Sequence, residues 1–417
     1  MRNEPLGNPL ITLFYMPSFY GALTWGIWLS LYLMRLIRLD ACSGMALAIY
    51  IATEIFFVLS MALSYPHYRG TVSAGHSQPG DVFPACERRM ALKLTLIVFH
   101  LAGLLGLSAW LMHVAGYLGG FNLVLLALTS AADTIRGASD MSTTIGIQVS
   151  FLGWIAIALT VYAVARKQIS KWWLVLALIQ FLGNFLYIGR TQPIWIMFTS
   201  LLMVLAALVS VNFRKAVMWT LLILVLFFAL FWAIGEWTGK AYYEDKFEDP
   251  RIPGMTQVMY AYGVSGFAYF NHMLVHHEPV SYAPERVLYP VTKFLSRFGL
   301  VQEPPSQILE FYDVPFETNV GSFLEPFYRD GGLLFVVFGI LVYSFGLDIL
   351  GLKLLQSGSP IALFAWANLC FTTFMGFFTP MLAEFPIWLF TGLGLLSAVI
   401  QSLNADIIHF RAGGYES

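Results

Sequence analysis

Long stretches of this chain contain no Asp, Glu, Lys or Arg, among them residues 5–34, 94–132, 141–165, 191–213, 216–235 and 354–383. A helix needs about 20 apolar residues to cross the hydrocarbon of a bilayer. Backbone in hydrocarbon must satisfy its own hydrogen bonds, which leaves only helices and closed barrels. Barrel strands are short and alternate apolar with polar, so long unbroken runs mean helices. Only 11% of the 417 residues are charged, against roughly 25% in soluble proteins. The expectation is an all-α, polytopic integral membrane protein. Spans fall near 11–34, 43–63, 92–114, 142–165, 172–189, 192–212, 215–236, 332–352, 359–380 and 385–404. Residues 121–132 add a re-entrant or short extra helix, giving ten to twelve spans. The first apolar run is too long for a signal-peptide core and reads as a span. A net charge of −1 offers no attraction to nucleic acid. Cys42, Cys86 and Cys370 are far apart and form neither a disulfide framework nor a metal spacing.

Lys and Arg in short loops set orientation. With a cytoplasmic N-terminus, 12 of them fall inside and 4 outside, so both termini are expected in the cytoplasm. Three regions follow: an N-terminal membrane bundle (1–235), a large external loop (236–330) and C-terminal spans (331–417). The loop carries 20 of the chain's 47 charged residues. A structureless loop of that length is uncommon. Within it, residues 256–277 are aromatic and amphipathic enough for a helix lying on the membrane interface. "YAPERVLYPVTKFLSRFG" predicts a second short helix after a proline.

Four clusters there could carry chemistry. Arg190, in "YIGRTQPIW", sits where a new helix begins, with Thr191 or Gln192 as its cap and Pro193 in its first turn. It is either an interfacial anchor or, with the helix N–H groups, an anion site. "ETNVGSFLEPFYRDGG" (317–332) gathers Glu325, Arg329 and Asp330 just before a span. Glu325 and Arg329 have the spacing of an ordinary helical ion pair, and Asp330 that of an N-cap. Alternatively Arg329 faces the same anion as Arg190, with Glu325 or Asp330 as a base. Arg286, Lys293 and Arg297 share one face if their segment is helical; they bind anionic lipid headgroups or grip a diphosphate. His272 and His276 are four apart, but "HMLVH" lacks the Glu of a zinc-protease motif. They are packed side chains or an interfacial base near neutral pH. Glu54 is the one ionisable residue that reads as clearly deep in a span. No Asp-x-Asp occurs, so a metal–diphosphate site has no support in the sequence.

"IGRTQPIWIMFTSLL" and "TNVGSFLEPFYRDGGLLFVVFGILVYSFG" resemble two motifs of bacterial O-antigen polymerases, the oligosaccharide repeat unit polymerases (Wzy). These are the arginine that opens a span and the Tyr-x-Asp-x-Gly entry into the span after the large periplasmic loop. The resemblance covers roughly residues 180–350 and extends to the related O-antigen ligases. It implies a GT-C-like membrane glycosyltransferase on the periplasmic face of a bacterial inner membrane. A growing glycan would pass from undecaprenyl diphosphate to the non-reducing end of a lipid-linked repeat. No cofactor or metal is implied, and a chain-length-regulating co-polymerase is implied as partner. The resemblance puts the family's first arginine at Arg190, its loop arginines at Arg286 or Arg297, and its aspartate at Asp330. This chain departs from the pattern in having Arg329 and in Thr191–Gln192 after Arg190. Donor charge would be held by Arg190, Arg286, Arg297 and Arg329, with Glu325, Asp330, His272 or His276 as base. The rival expectation is a transporter or flippase for lipid-linked saccharide.

Overall fold

The computed structural model describes residues 9–74, 85–122, 145–184, 191–208, 251–252, 255–307 and 309–413, with five isolated residues between 218 and 233. Arg190, the acidic run 243–250, nearly all of the expected span 215–236 and most of 121–132 lie outside these residues. The helices are α1 (Pro9–Leu13), α2 (Pro17–Met34), α3 (Gly44–Ala74), α4 (Ala85–Leu118), α5 (Ile145–Ser150), α6 (Leu152–Ala165), α7 (Trp173–Gly183) and α8 (Thr191–Leu208). After them come α9 (Met255–Val275), α10 (Tyr289–Ser296), α11 (Leu324–Leu341), α12 (Leu347–Gln356), α13 (Pro360–Met375) and α14 (Phe385–Gly413). A π-helical turn, Val342–Gly346, makes α11 and α12 continuous. Strands β1 (Tyr312–Asp313) and β2 (Glu317–Thr318) form an antiparallel hairpin.

Among the described residues, five stretches are long and apolar enough to cross a membrane: Gly44–Val72, Met90–Leu118, Gly146–Ala165, Leu324–Gln356 and Phe385–Leu403. The protein is a multi-pass helical membrane protein. Its outward faces carry exposed Leu63, Leu105 and Leu178, which lipid rather than water must cover.

Two aromatic-rich cores hold the bundle. One joins α2, α3, α9, α11 and α12 through Trp25, Tyr50, Phe267, Phe323 and Tyr343. The other joins α4, α6, α7 and α14 through Leu96, Trp154, Ala177 and Phe390. Helices α8 and α13 contribute to both, and Trp195 Nε1 donates to Asn368 Oδ1 (2.6 Å) between them. A second polar join is Asp348, which has no exposed surface. It accepts from Ser18 N (2.8 Å), Ser18 Oγ (2.6 Å) and Ser60 Oγ (2.7 Å), tying α12 to α2 and α3. Glu54 is therefore not the only deep carboxylate. His100 meets Gln180 (2.5 Å) and Thr160 (3.0 Å), a contact between helices.

The ends of the helices sort into two groups. Ser43 N bonds Asn271 Oδ1 (2.8 Å) and Tyr260 Oη bonds Leu31 O (2.7 Å), so α2, α3 and α9 meet at one end. At the other, Gln356 bonds Thr71 (3.3 Å) and the hydroxyls of Ser359 and Ser397 meet.

Two features differ from expectation. Residues 263–271 of α9 are buried without a break, so the helix is covered on all sides rather than laid on a surface. It crosses α2 and α3: a Cβ at Gly263 would strike the Trp28 ring, and Tyr50 Oη donates to Phe267 O (2.6 Å). Segment 236–330 is thus partly built into the bundle. Secondly, α11 doubles back on itself. Gly331 (φ −162°, ψ 16°) and Gly332 (φ 64°, ψ −154°) break it into arms 324–330 and 333–341. Phe323 stacks on Tyr343 (4.1 Å) and the Phe327 ring lies against Gly339. The first arm therefore lies antiparallel to the second. From Gly332 to Tyr343 the helix rises about 16 Å at 1.5 Å per residue. The stretch expected beside the span instead dives along it. A re-entrant arm at such depth is tolerated where protein buries it or it lines a cavity.

Candidate functional site

A cavity of about 130 Å³ opens where the first arm of α11, the lead into α10 and the α13–α14 loop converge. Arg286, Tyr289, Gln307, Asn319, Glu325 and Glu384 are among its lining residues. Four separate stretches supply it, since Ser306, Gln307 and Leu309 join from beyond α10, and the reversal at Gly331–Gly332 is what carries Glu325 down to it.

The first arm is a helix from Leu324, so Glu325 and Arg329 share a face while Asp330 points away. Glu325 is 2% exposed, Arg329 8% and Asp330 0%, so each polar head sits where only a partner can stabilise it. Arg329 Nε lies 2.8 Å from Glu325 Oε1. Its Nη2 donates to Tyr269 Oη (3.2 Å) and Tyr312 Oη (3.1 Å), two phenols stacked at 4.8 Å. Burial raises both phenols above their usual pKa, so they stay protonated. Arg329 does not line the cavity. Its Nη2 donates to the two phenols and its Nε faces Glu325, so its polar atoms point to internal partners and not into the cavity.

Asp330 does not cap the following helix. Its Oδ2 accepts from the backbone N–H groups of Arg286 (2.9 Å) and Val287 (2.8 Å), while Oδ1 is buried without a hydrogen-bond partner. Ser281 adds two bonds to Arg329 O, from N (2.7 Å) and Oγ (3.1 Å). Together these fasten the chain that carries Arg286 to the turn of α11. Asp330 thus places an arginine of the cavity and does not itself line the cavity as a base.

The expected basic face is divided. Helix α10 begins only at Tyr289, so Arg286 lies before it and lines the cavity. Lys293 pairs with Glu303, and Arg297 is exposed and absent from the lining. Neither His272 nor His276 lines it either. Their rings face each other at 4.1 Å, and His272 stacks on Tyr312 at 4.6 Å. Burial, and then the neighbouring His276, lower the His272 pKa, so it is neutral at physiological pH.

Sequence reasoning passed over Glu384. It is half-buried in the α13–α14 loop, and burial pushes its carboxyl up to about 7. Its signal was available: it is the first charge after the charge-free run 354–383. Among the described residues, no group of three or more His, Cys, Asp or Glu is placed to hold a metal ion.

The arrangement offers a cation, two carboxyl groups and the amides of Gln307 and Asn319 around a cavity whose lining is mostly apolar, with Tyr289 and Phe378 as aromatic wall. Comparison with protein-family models, curated proteins and solved structures found no match for this chain.

Proposed function

We propose that this protein is a membrane glycosyltransferase of the O-antigen polymerase kind. It would extend undecaprenyl-diphosphate-linked glycans on the periplasmic face of a bacterial inner membrane, with ten to twelve spans in a GT-C-like arrangement. The observation that carries this is the convergence of Glu325 and Arg286 on one cavity beside a broken membrane helix. The motif resemblance and the loop-charge bias supply the substrate and the side of the membrane.

In this chemistry the acceptor hydroxyl oxygen bonds to the anomeric carbon while the bond to the diphosphate oxygen breaks. The leaving diphosphate takes the electron pair, and the hydroxyl proton passes to a carboxylate. Glu325, held by Arg329, is the base within the cavity. Arg286 stabilises charge growing on the diphosphate, with Arg190 as the second clamp that the resemblance implies. The glycan end rests against Gln307, Asn319 and Tyr289.

A second reading is a transporter for lipid-linked saccharide, favoured by the break at Gly331–Gly332 and the π turn at Val342–Gly346. One experiment separates them. The purified protein in lipid discs or vesicles receives synthetic undecaprenyl-diphosphate repeats, and products are separated by size. Longer lipid-linked chains are expected, reduced 100-fold or more in Glu325→Gln, about the worth of a general base. Chains appearing on a lipid A core acceptor would make it a ligase. Substrate crossing the bilayer at unchanged length would make it a transporter.

A further inference from the structure

We propose that α10 and the turn after it are a membrane-interface anchor, seated in the headgroup region of the leaflet at the Asp330 end of α11. No residue of α10 is buried. Val291, Phe294 and Phe298, spaced three and four apart, form one stripe with 36%, 58% and 65% exposure. The two phenylalanine rings pack together at 5.1 Å, and Leu300 (69%) and Val301 (41%) continue the surface. In water, this much exposed apolar surface on so short a segment would be unfavourable.

The level of the segment says what covers it. Asp330 holds the backbone of Arg286 and Val287, just ahead of α10. Val280 lies 3.8 Å from where a Cβ on Gly332 would stand. Immediately beyond, Leu333, Leu334, Val337 and Phe338 are 44–75% exposed on a helix apolar enough to span. Helix α10 therefore departs from the level at which α11 begins to face lipid. A cation fits the same occupant. Arg297 is exposed on the flank of the apolar stripe, positioned to reach headgroups while the phenylalanines enter the acyl boundary, whereas Lys293 stays with Glu303 on the water side. The occupant is thus a leaflet containing anionic phospholipid. This holds whatever chemistry the cavity performs. Because Arg286 and Tyr289 line that cavity, the anchor would also hold one wall of it at headgroup depth.

The test uses the full chain in discs of phosphatidylethanolamine and phosphatidylglycerol, with Cys42, Cys86 and Cys370 replaced by Ala. Nitroxides are placed at Phe294→Cys and, separately, at Phe298→Cys. Collision with oxygen is compared with collision with an aqueous nickel chelate, using Leu334→Cys as lipid control and Glu303→Cys as water control. Both labels should favour oxygen, at a depth of about 5–10 Å. Labels that meet the nickel chelate as freely as position 303 would place the face in water. Labels shielded from both reagents would place it under protein, a second copy included. Either result overturns the proposal. In the native-cysteine chain, benzoylphenylalanine in place of Phe294 gives an independent readout. A phospholipid adduct is expected, and an adduct to protein alone overturns the proposal.

Discussion

Arg329 illustrates how burial reassigns a charged side chain. With a carboxylate and two phenols around it and 8% of its surface exposed, it is the counter-ion that lets Glu325 remain at the cavity wall. Removing one partner of a buried pair leaves the other uncompensated, at a cost of about 3–5 kcal/mol. Arg329→Met should lower the melting temperature sharply, and adding Glu325→Gln should recover most of the loss. Wild-type stability in Arg329→Met would show instead that the guanidinium is held for a ligand. Glu384 gives a pH signature. Its folded pKa of about 7 lies above the ordinary 4.5, so the folded state binds more protons between those values. Stability should then fall as pH rises through that window and level off above it. Measured from roughly pH 5 to pH 8, the melting temperature of the wild type should decline by a few degrees relative to Glu384→Gln. Parallel curves would mean that the carboxyl is solvated. The ion pair of Glu325 and Arg329 was legible from their spacing, because four residues is a local property of a helix. The binding of Asp330 to the backbone of Arg286 was not, because it joins residues 44 apart through a tertiary turn.

Among the elements, the doubled α11 decides where the site lies. Gly332 has the φ and ψ of a region that essentially only glycine occupies, and the nearest atom to an added Cβ is 3.8 Å away. Gly332→Ala should therefore cost about 1–3 kcal/mol from backbone strain alone, read as a lowered melting temperature. An unchanged value would mean that the reversal is not held at that position. At Gly331 the reason is space, since a Cβ there would enter the Phe335 ring. "DGG" marked a helix boundary in the sequence, and apolar residues follow it without interruption. Nothing local showed that the residues before it run back along those after it. That depends on Phe323 finding Tyr343, and Phe327 finding Gly339. Helix α9 was likewise visible as a helix but not as a buried one. Its aromatic, charge-free surface suits a membrane interface and a protein core equally well.

For the whole molecule, the two groups of helix ends tie function to sidedness. The α10 region and Gln356 lie at opposite ends of the α11–α12 helix. In intact cells, a membrane-impermeant maleimide should label Glu303→Cys in a cysteine-free background and spare Gln356→Cys until lysis. The reverse pattern would put the cavity in the cytoplasm and remove the proposed reaction. The sequence by itself determined the solvent of this protein and the helical state of most of its length. Apolar runs and backbone hydrogen bonding act locally and leave few alternatives in lipid. Tertiary structure alone decided which charges meet. Glu325, Arg286 and Glu384 come together because a glycine reversal, a carboxylate-bound loop and a short inter-helix turn reach the same depth. Depth is set by packing between distant segments, which no local pattern of residues encodes.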